Sequence, residues 1–178
     1  MKFFKNLLVA FAFISVFCGC RKGKIVSSVE KENLFELNYG TFEDELNVFN
    51  MSSAGNINTS ISMQDGFFYI LNGESKKIME MNSYGDLLAL YYNPQENPRP
   101  SFSENASDIN STRTAVPYSF NEVSKIAVDS RKYLYAVDKL PLNRQETDPK
   151  TNQVLSQIIV RFDDSKKYMN YIGQQGPG

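Results

Sequence analysis

The chain has 178 residues, a formal net charge of −1 at pH 7 and 22% charged residues, which excludes nucleic-acid binding through bulk basic charge. It contains no histidine, so the commonest general base and the commonest metal ligand of proteins are missing. Thirteen Phe and ten Tyr, against no Trp, favour strands because aromatic side chains suit a half-buried pleated surface. We predict no metal site, no cofactor and no nucleic-acid partner.

The amino-terminal residues carry the pattern of an export signal. Lys2 and Lys5 form a short basic head, and an uncharged apolar run extends from Leu7 to Phe17. As a helix this run is about 16 Å long, whereas a membrane-spanning helix needs about 20 residues. A basic head and a short apolar run followed by small residues are typical of a secretory signal peptide. We predict a signal-peptide helix over residues 1–19.

Two cysteines follow the apolar run, and they are the only ones in the chain. Cys18 and Cys20 enclose one residue, which fits neither a redox Cys-x-x-Cys pair nor a zinc site with its further ligands. Gly19 directly before Cys20 resembles the lipobox of bacterial lipoproteins, although Phe17 stands where that motif usually has Leu. The resemblance implies cleavage between Gly19 and Cys20 and a lipid, diacylglyceryl with further acylation such as palmitate, on Cys20. An ordinary cleaved signal and an uncleaved anchor are the alternatives.

Lipid attachment at Cys20 implies stable membrane binding, since each buried CH₂ group contributes about 0.8 kcal/mol. Cleavage after residue 19 removes two lysines and changes the net charge from −1 to −3. Residues 20–32 are charged and contain serine, which is typical of a tether. We predict an exported protein in the cell envelope, on the outer membrane or on the periplasmic face of the inner membrane. Residues 33–178 are its predicted domain.

Two stretches of this domain, 61–91 and 126–173, repeat one pattern. Ile61–Asn72 aligns with Ile126–Asp138 after a one-residue slip, and the second halves of the units align at a constant offset of 81 positions. Each unit contains four short apolar runs separated by polar turns. This pattern predicts a four-stranded antiparallel meander in each unit, and therefore an all-β fold.

Two long connections interrupt the repeat. Residues 92–122 link the units and are rich in Pro, Asn and Ser, whereas residues 139–157 lengthen the second unit. Both are predicted as loops on the repeated framework. Ahead of the first unit, Leu34–Phe49 fits either an imperfect edge strand or a weakly capped helical turn.

The second unit resembles a blade of an NHL-type β-propeller. Such blades run Ile-x-Val-Asp, a turn, Tyr-Val-Ala-Asp, a hairpin, a strand ending in Phe-Asp and a last strand ending in Gly. The matching residues are Val128-Asp129, Tyr135-Ala136-Val137-Asp138, Phe162-Asp163 and Gly173. The first unit has Gln64 in place of the first Asp and lacks the final Gly. Together with the lipobox, the pattern resembles the propeller-like lipoproteins of spirochaetes.

The resemblance implies four-stranded blades of a β-propeller, two of which are visible in this sequence. Propellers close with about 4–8 blades, and a repeat unit needs neighbours to bury its apolar faces. Two blades alone leave large apolar faces bare, which soluble monomers rarely do. We therefore expect the chain to be the amino-terminal portion of a longer protein. Assembly from several copies and a small sandwich or barrel are the alternatives.

Several polar residues in the units are candidates for chemistry. Asp129 and Asp138 stand at strand ends, where they are candidate ligands or bases in a central channel. The favoured interpretation is that they accept hydrogen bonds from nearby backbone N–H groups, as is also predicted for Asp163 in its hairpin turn. Lysine pairs at 76–77 and 166–167 recur at turns and are predicted as solvated tips. Tyr91-Tyr92 and Phe67-Phe68-Tyr69 are candidates for a binding face, and the favoured interpretation is that they pack between the sheets.

Two functions fit these observations. The first is a non-enzymatic, membrane-anchored binding scaffold whose loops 92–122 and 139–157 bind an envelope protein. It is favoured because the visible units lack His and show no carboxylate cluster beyond the repeat positions. The second is a propeller enzyme, similar to a metal-dependent lactonase or lyase, with its active site in blades outside this chain. We predict no catalytic residue here, and recognition of a small ligand or glycan is a further alternative.

Overall fold

The structure is a computed structural model that describes residues 28, 30–48, 58–103 and 112–173. The predicted signal peptide and the lipid-attachment residue Cys20 lie outside the described residues. The chain divides into two units, Met1–Glu32 and Asn33–Gly178, and the architecture below is that of the second. Within the described part of the chain, no helix combines the length and the apolar character needed to cross a membrane.

The second unit is all-β, as the sequence predicts. Its described strands are β1 (Thr59–Gln64), β2 (Phe67–Asn72), β3 (Lys77–Met81), β4 (Leu87–Tyr92), β5 (Thr114–Pro117), β6 (Val123–Val128), β7 (Leu134–Lys139), β8 (Glu146–Thr147), β9 (Val154–Leu155), β10 (Gln157–Phe162) and β11 (Tyr168–Ile172). Short 3₁₀ helices lie at Gly73–Ser75, Ser101–Ser103 and Leu142–Arg144.

These strands form two main sheets. Sheet one has the order β1-β2-β3-β4-β5, in which the first four strands are an antiparallel meander and β5 joins β4 in parallel. Sheet two has the order β6-β7-β10-β11 and is antiparallel throughout. The strands β8 and β9 form a separate two-stranded ribbon. Neither main sheet closes on itself within the described residues.

The two predicted repeat units have the same strand pairing. Ile78 of β3 pairs with Tyr91 of β4, and their counterparts 81 positions later, Ile159 and Ile172, pair across β10 and β11. In both sheets the register of this pair of strands then shifts by one residue, just before the third strand ends. The predicted meander is therefore confirmed in each unit, and the two units also share the position of a β-bulge, which the sequence did not predict.

The hairpin after that bulge also closes in the same way in both sheets. The side chain of Asn82 accepts the backbone N–H of Asp86 at 2.9 Å, and the counterpart Asp163 accepts the backbone N–H of Lys167 at 2.8 Å. Two residues before β4 and β11, Gly85 and Lys166 have a left-handed backbone, with φ of 87° and 66°. A carboxylate or amide oxygen at the first turn position thus stabilises both hairpins locally.

The two sheets pack against each other through one shared core. Sheet one contributes Tyr69, Leu71, Ile78, Ala89 and Tyr91, and sheet two contributes Leu134, Ala136, Ile158, Val160 and Phe162. The rings of Tyr91 and Phe162 meet edge to face with 4.9 Å between their centroids. The first strands of the two sheets, β1 and β6, also contact each other. The predicted packing of aromatic residues between the sheets is confirmed at Tyr69 and Tyr91, whereas Phe68 and Tyr92 lie in the cluster on the opposite face of sheet one.

The opposite face of sheet one is covered by the amino-terminal segment of the unit. Phe35, Leu37 and Leu46 pack there against a second buried cluster. The described part of Leu34–Phe49 is neither of the two predicted structures: it folds back on itself, with one parallel bridge between Tyr39 and Leu46. That prediction was wrong because the segment takes its shape from the sheet face it covers, which no local period records.

Two predicted loops also contain strands. The connection 92–122 includes β5, which lies along the edge of sheet one, and the connection 139–157 includes the ribbon of β8 and β9. These strands have two to four residues each. Runs this short are too brief to show a period-two pattern, so the sequence predicted loops there.

Candidate binding cleft

A cleft of about 280 Å³ opens where the two long connections meet. Its polar lining includes Lys76, Asn93, Glu96, Tyr118, Asp138 and Arg144. The first connection supplies three of these residues and the second supplies Arg144. The two loops that the sequence nominates for partner binding therefore share one surface, which their positions in the chain did not reveal.

Asp138 lies near the end of β7 and is only 4% exposed. Its two carboxylate oxygens accept the backbone N–H of Asn121 at 3.1 Å, and one also accepts the N–H of Glu122 at 2.8 Å. Burial raises the pKa of the Asp138 carboxyl, while these hydrogen bonds and the charges of Lys76 and Arg144 lower it. The carboxylate thus holds the chain in place where it enters β6.

Asn72, the counterpart of Asp138 in sheet one, has the same task. It is fully buried, accepts the backbone N–H of Asn47 at 2.9 Å and donates to the carbonyl of Asn47 at 2.8 Å. In both sheets a polar side chain at the end of the second strand fixes the segment that arrives ahead of the unit. The repeated positions are therefore structural.

The wall of the cleft is held by Asn93, directly after β4. Its amide nitrogen donates to the carbonyl of Phe120 at 2.7 Å, and its amide oxygen accepts the backbone N–H of Gln95 at 2.9 Å. Tyr118 donates its own backbone N–H to the carbonyl of Tyr92 at 2.9 Å. These bonds tie the beginning and the end of the long first connection together at one side of the cleft.

An aromatic group forms the floor. The ring of Tyr118 lies 4.8 Å from that of Phe120 and 5.5 Å from that of Phe162, centroid to centroid. Burial raises the pKa of Tyr118 to about 12, so its hydroxyl stays protonated at neutral pH. The cleft therefore combines an apolar base with hydroxyl and amide groups, as small recognition sites commonly do.

The rim carries charges of both signs. Lys76 lies 2.7 Å from Glu96, and outside the cleft Lys139 lies 2.9 Å from Glu122. Arg144 is exposed on the opposite side. Asp138 has both oxygens occupied by backbone donors, so it is poorly placed to act as a general base. The arrangement suits hydrogen bonding and ion pairing with a bound group.

The three predicted aspartates are not brought together. Asp129 and Asp138 lie at opposite ends of β7, and Asp129 accepts the backbone N–H groups of Arg131 and Tyr133, each at 2.9 Å. These bonds confirm the predicted turn role of Asp129, and the bond at Asp163 described above does the same. The described residues include no group of three or more His, Cys, Asp or Glu side chains able to hold a metal ion.

The prediction of solvated lysine tips was wrong for Lys77 and holds only in part for Lys76 and Lys166, whose side chains are 26% and 23% exposed and form ion pairs. Lys77 is 1% exposed, and its ammonium donates to the carbonyl of Phe42 in the amino-terminal segment. Burial lowers the pKa of Lys77 to about 8, although the carboxylates of residues 43–45 oppose the shift. The repeat itself held the signal, because the counterpart of Lys77 is Ile158, a buried position of sheet two.

Comparison of the sequence with protein-family models and with curated proteins finds no significant match. The functional assignment of the cleft therefore depends on its own residues.

Proposed function

We propose that this chain is an exported lipoprotein, anchored through Cys20, whose β-sheet body is part of a β-propeller and acts as a non-enzymatic binding scaffold. The observation that carries the scaffold role is that both long connections, 92–122 and 139–157, line the same cleft. Loops on a rigid sheet framework are where binding residues of proteins concentrate. The occupied oxygens of Asp138 favour binding over catalysis in this cleft.

Support for the propeller comes from the two matching sheets. Each is a four-stranded unit of the same register, and their first strands lie next to each other as they do in stacked blades. The relaxed lipobox at Gly19-Cys20 supports the anchor and the location in the envelope. The partner is proposed to be an envelope protein that presents polar and charged groups to the cleft.

The anchor is tested by mass spectrometry of the protein purified from bacterial membranes. We expect an amino-terminal peptide that begins at Cys20 and carries a diacylglyceryl group, with an amide-linked acyl chain where the host adds one. Cys20→Ser abolishes the modification, whereas Cys18→Ser leaves it intact because residue 18 is removed with the signal. An unmodified thiol at Cys20 in the mature protein contradicts the anchor.

The scaffold is tested by site-specific photo-cross-linking in intact cells. A photoreactive residue replaces Gln95 in the cleft or, as a matched control, the exposed Asp164 in the β10–β11 hairpin. We expect a discrete protein adduct from position 95 that disappears when Arg144→Glu is added, and none from position 164. Equal adducts from both positions, or none from position 95, contradict binding at the cleft.

A further inference from the structure

Sheet one contacts sheet two through one of its faces. The equivalent face of sheet two points away from sheet one and has a similar residue pattern. On sheet one this face carries Tyr69, Leu71, Ile78, Glu80, Ala89 and Tyr91. The counterparts on sheet two are Tyr135, Val137, Ile159, Arg161, Asn170 and Ile172, which the strand register places on one face. We call this second set the open face.

The two sets differ in burial although four of the six positions are apolar or aromatic in both. Ile78 and Tyr91 are 0% and 2% exposed, whereas their counterparts Ile159 and Ile172 are 36% and 45% exposed. An apolar face on a sheet that is already packed on its other side calls for a second partner. The open face is thus a docking surface with the residue pattern of a sheet-to-sheet contact.

A partly buried ion pair lies at the contact between the two sheets. Glu80 is 5% exposed and faces Lys166 from the last hairpin of sheet two, whose ammonium lies 2.9 Å from one carboxylate oxygen and 3.1 Å from the other. The position of Glu80 is taken on the open face by Arg161. The Nε of Arg161 is buried and has no hydrogen-bond partner among the described residues.

We propose that the open face docks a third four-stranded sheet of the same repeat, whose last hairpin carries an acidic side chain at the position of Lys166. Its carboxylate would pair with Arg161, inverting the charges of the Glu80–Lys166 contact. This inference rests on the propeller arrangement proposed above, and it is independent of the lipid anchor and of the cleft.

A second copy of this chain fits the open face less well. In a head-to-tail contact its sheet one would have to shed the segment with Phe35, Leu37 and Leu46 that covers the required face. In a symmetric contact each open face would have to supply the counter-charge for Arg161 of the other copy, and the open face contains no acidic residue. The observed burial and charge therefore favour a further sheet with an acidic hairpin.

The test appends such a sheet to the chain. A second copy of residues 93–173 is fused after Gly173, so that it follows β11 as residues 93–173 follow β4. In one fusion the appended copy carries Lys166→Glu, and the matched control keeps Lys166. Both fusions and the unfused chain carry Cys18→Ser, Cys20→Ser and the reporter substitution Ile159→Cys in the original sheet two, so that the reporter is the only thiol, and the rate of its alkylation is measured.

We expect the fusion with the acidic hairpin to slow alkylation about tenfold or more, since a covered thiol reacts only when the contact opens. The control fusion, which keeps Lys166, protects the reporter thiol less. Adding Arg161→Glu to the original sheet two of this control should restore protection, because the two charges are again opposite. The proposal is overturned if alkylation is unchanged in both fusions that place opposite charges at position 161 of the original sheet and position 166 of the appended copy. This holds even where hydrogen exchange shows that the appended strands are unfolded, because the face with which they would dock keeps its natural sequence. Equal protection by all fusions overturns the role of Arg161.

Two further outcomes are decisive. An unfused chain that sediments as a dimer with a protected reporter thiol overturns the proposal in favour of a second copy. Failure of Cys20 lipidation or of cleft cross-linking would overturn the function proposed above and leave these alkylation rates unchanged.

Discussion

Sheet one and sheet two share strand order and register but differ in how they are covered. Every residue of β3 is buried, and β4, the last strand of the meander, is flanked by β5. In sheet two the counterpart β10 alternates between buried and more exposed residues, and the edge strand β11 is exposed at every position. Burial in this molecule therefore follows the place of a sheet in the stack, while pairing follows the local sequence.

The composition of β3 and β10 indicates on how many sides each sheet is covered. Both β3 and β10 place apolar side chains on both faces, a pattern typical of strands that are covered on two sides. In sheet one the two covers are sheet two and the amino-terminal segment. In sheet two only one cover lies among the described residues.

The largest expected difference is between two isoleucines at equivalent positions. Ile78→Ala removes buried methyl groups from the core between the sheets and should lower the free energy of unfolding by about 2–5 kcal/mol. Ile159→Ala, at the counterpart 36% exposed, should cost about 1 kcal/mol or less. Urea denaturation of both variants measures the difference, and equal losses of stability would show that positions 78 and 159 are equally buried.

A second difference is the charged residue at the start of β3. The pKa of Lys77 is about 8 in the folded protein against 10.5 in the unfolded chain, so between these values the unfolded chain binds more protons. The free energy of unfolding should therefore rise by about 2 kcal/mol from pH 7.5 to 9.5.

Above about pH 10 the trend should reverse, because burial raises the pKa of Tyr69 and Tyr91, and only the unfolded tyrosines ionise there. Lys77→Met should flatten the rise between pH 7.5 and 9.5, as measured by urea denaturation at each pH. The same rise in this variant would show that another group titrates. In sheet two the counterpart of Lys77 is the uncharged Ile158, so no such titration is expected there.

A smaller effect is expected at the ion pair between the sheets. Lys166→Met leaves the carboxylate of Glu80 buried without its cation and should cost about 1–3 kcal/mol. The double variant with Glu80→Gln should recover a large part of this loss, because an uncharged pair needs no counter-charge. The exposed Lys167→Met is the control, with an effect within about 0.5 kcal/mol. Additive single effects in a double-mutant cycle would contradict the pairing.

The smallest expected effect is at the hairpin turns, where the two sheets should behave alike. Asn82→Ala and Asp163→Ala each remove a side-chain acceptor of turn N–H groups and should cost about 1 kcal/mol. Because these bonds are local, position in the stack should not matter. Thermal denaturation of both variants checks this, and a cost at one turn only would show that the turns are not equivalent.

The sequence predicted what local pattern determines. Alternating apolar residues identified the eight strands of the two meanders, and the constant offset of 81 positions identified their shared register. The turn role of Asp129 and Asp163 was also predicted, because an acceptor at a strand end is a short-range signal.

What depends on distant contacts was not predicted. Lys77 lies beside a solvated turn in sequence, yet the segment near Phe42 covers it. The cleft is formed by loops that meet only through the packing of the sheets, and Asn93 and Tyr118 carry no motif of their own. The propeller, the lipid anchor and the envelope partner are proposals that go beyond these contacts.

The most direct test of the stacked-repeat account compares thiol reactivity at equivalent positions of the two sheets. Ile78→Cys and Ile159→Cys, each combined with Cys18→Ser and Cys20→Ser so that one thiol remains, are alkylated separately in the purified full chain. The account predicts that the thiol at position 159 reacts at a rate close to that of an exposed thiol, whereas the thiol at position 78 reacts only on unfolding. Equal protection at both positions, or faster reaction at position 78, would contradict it.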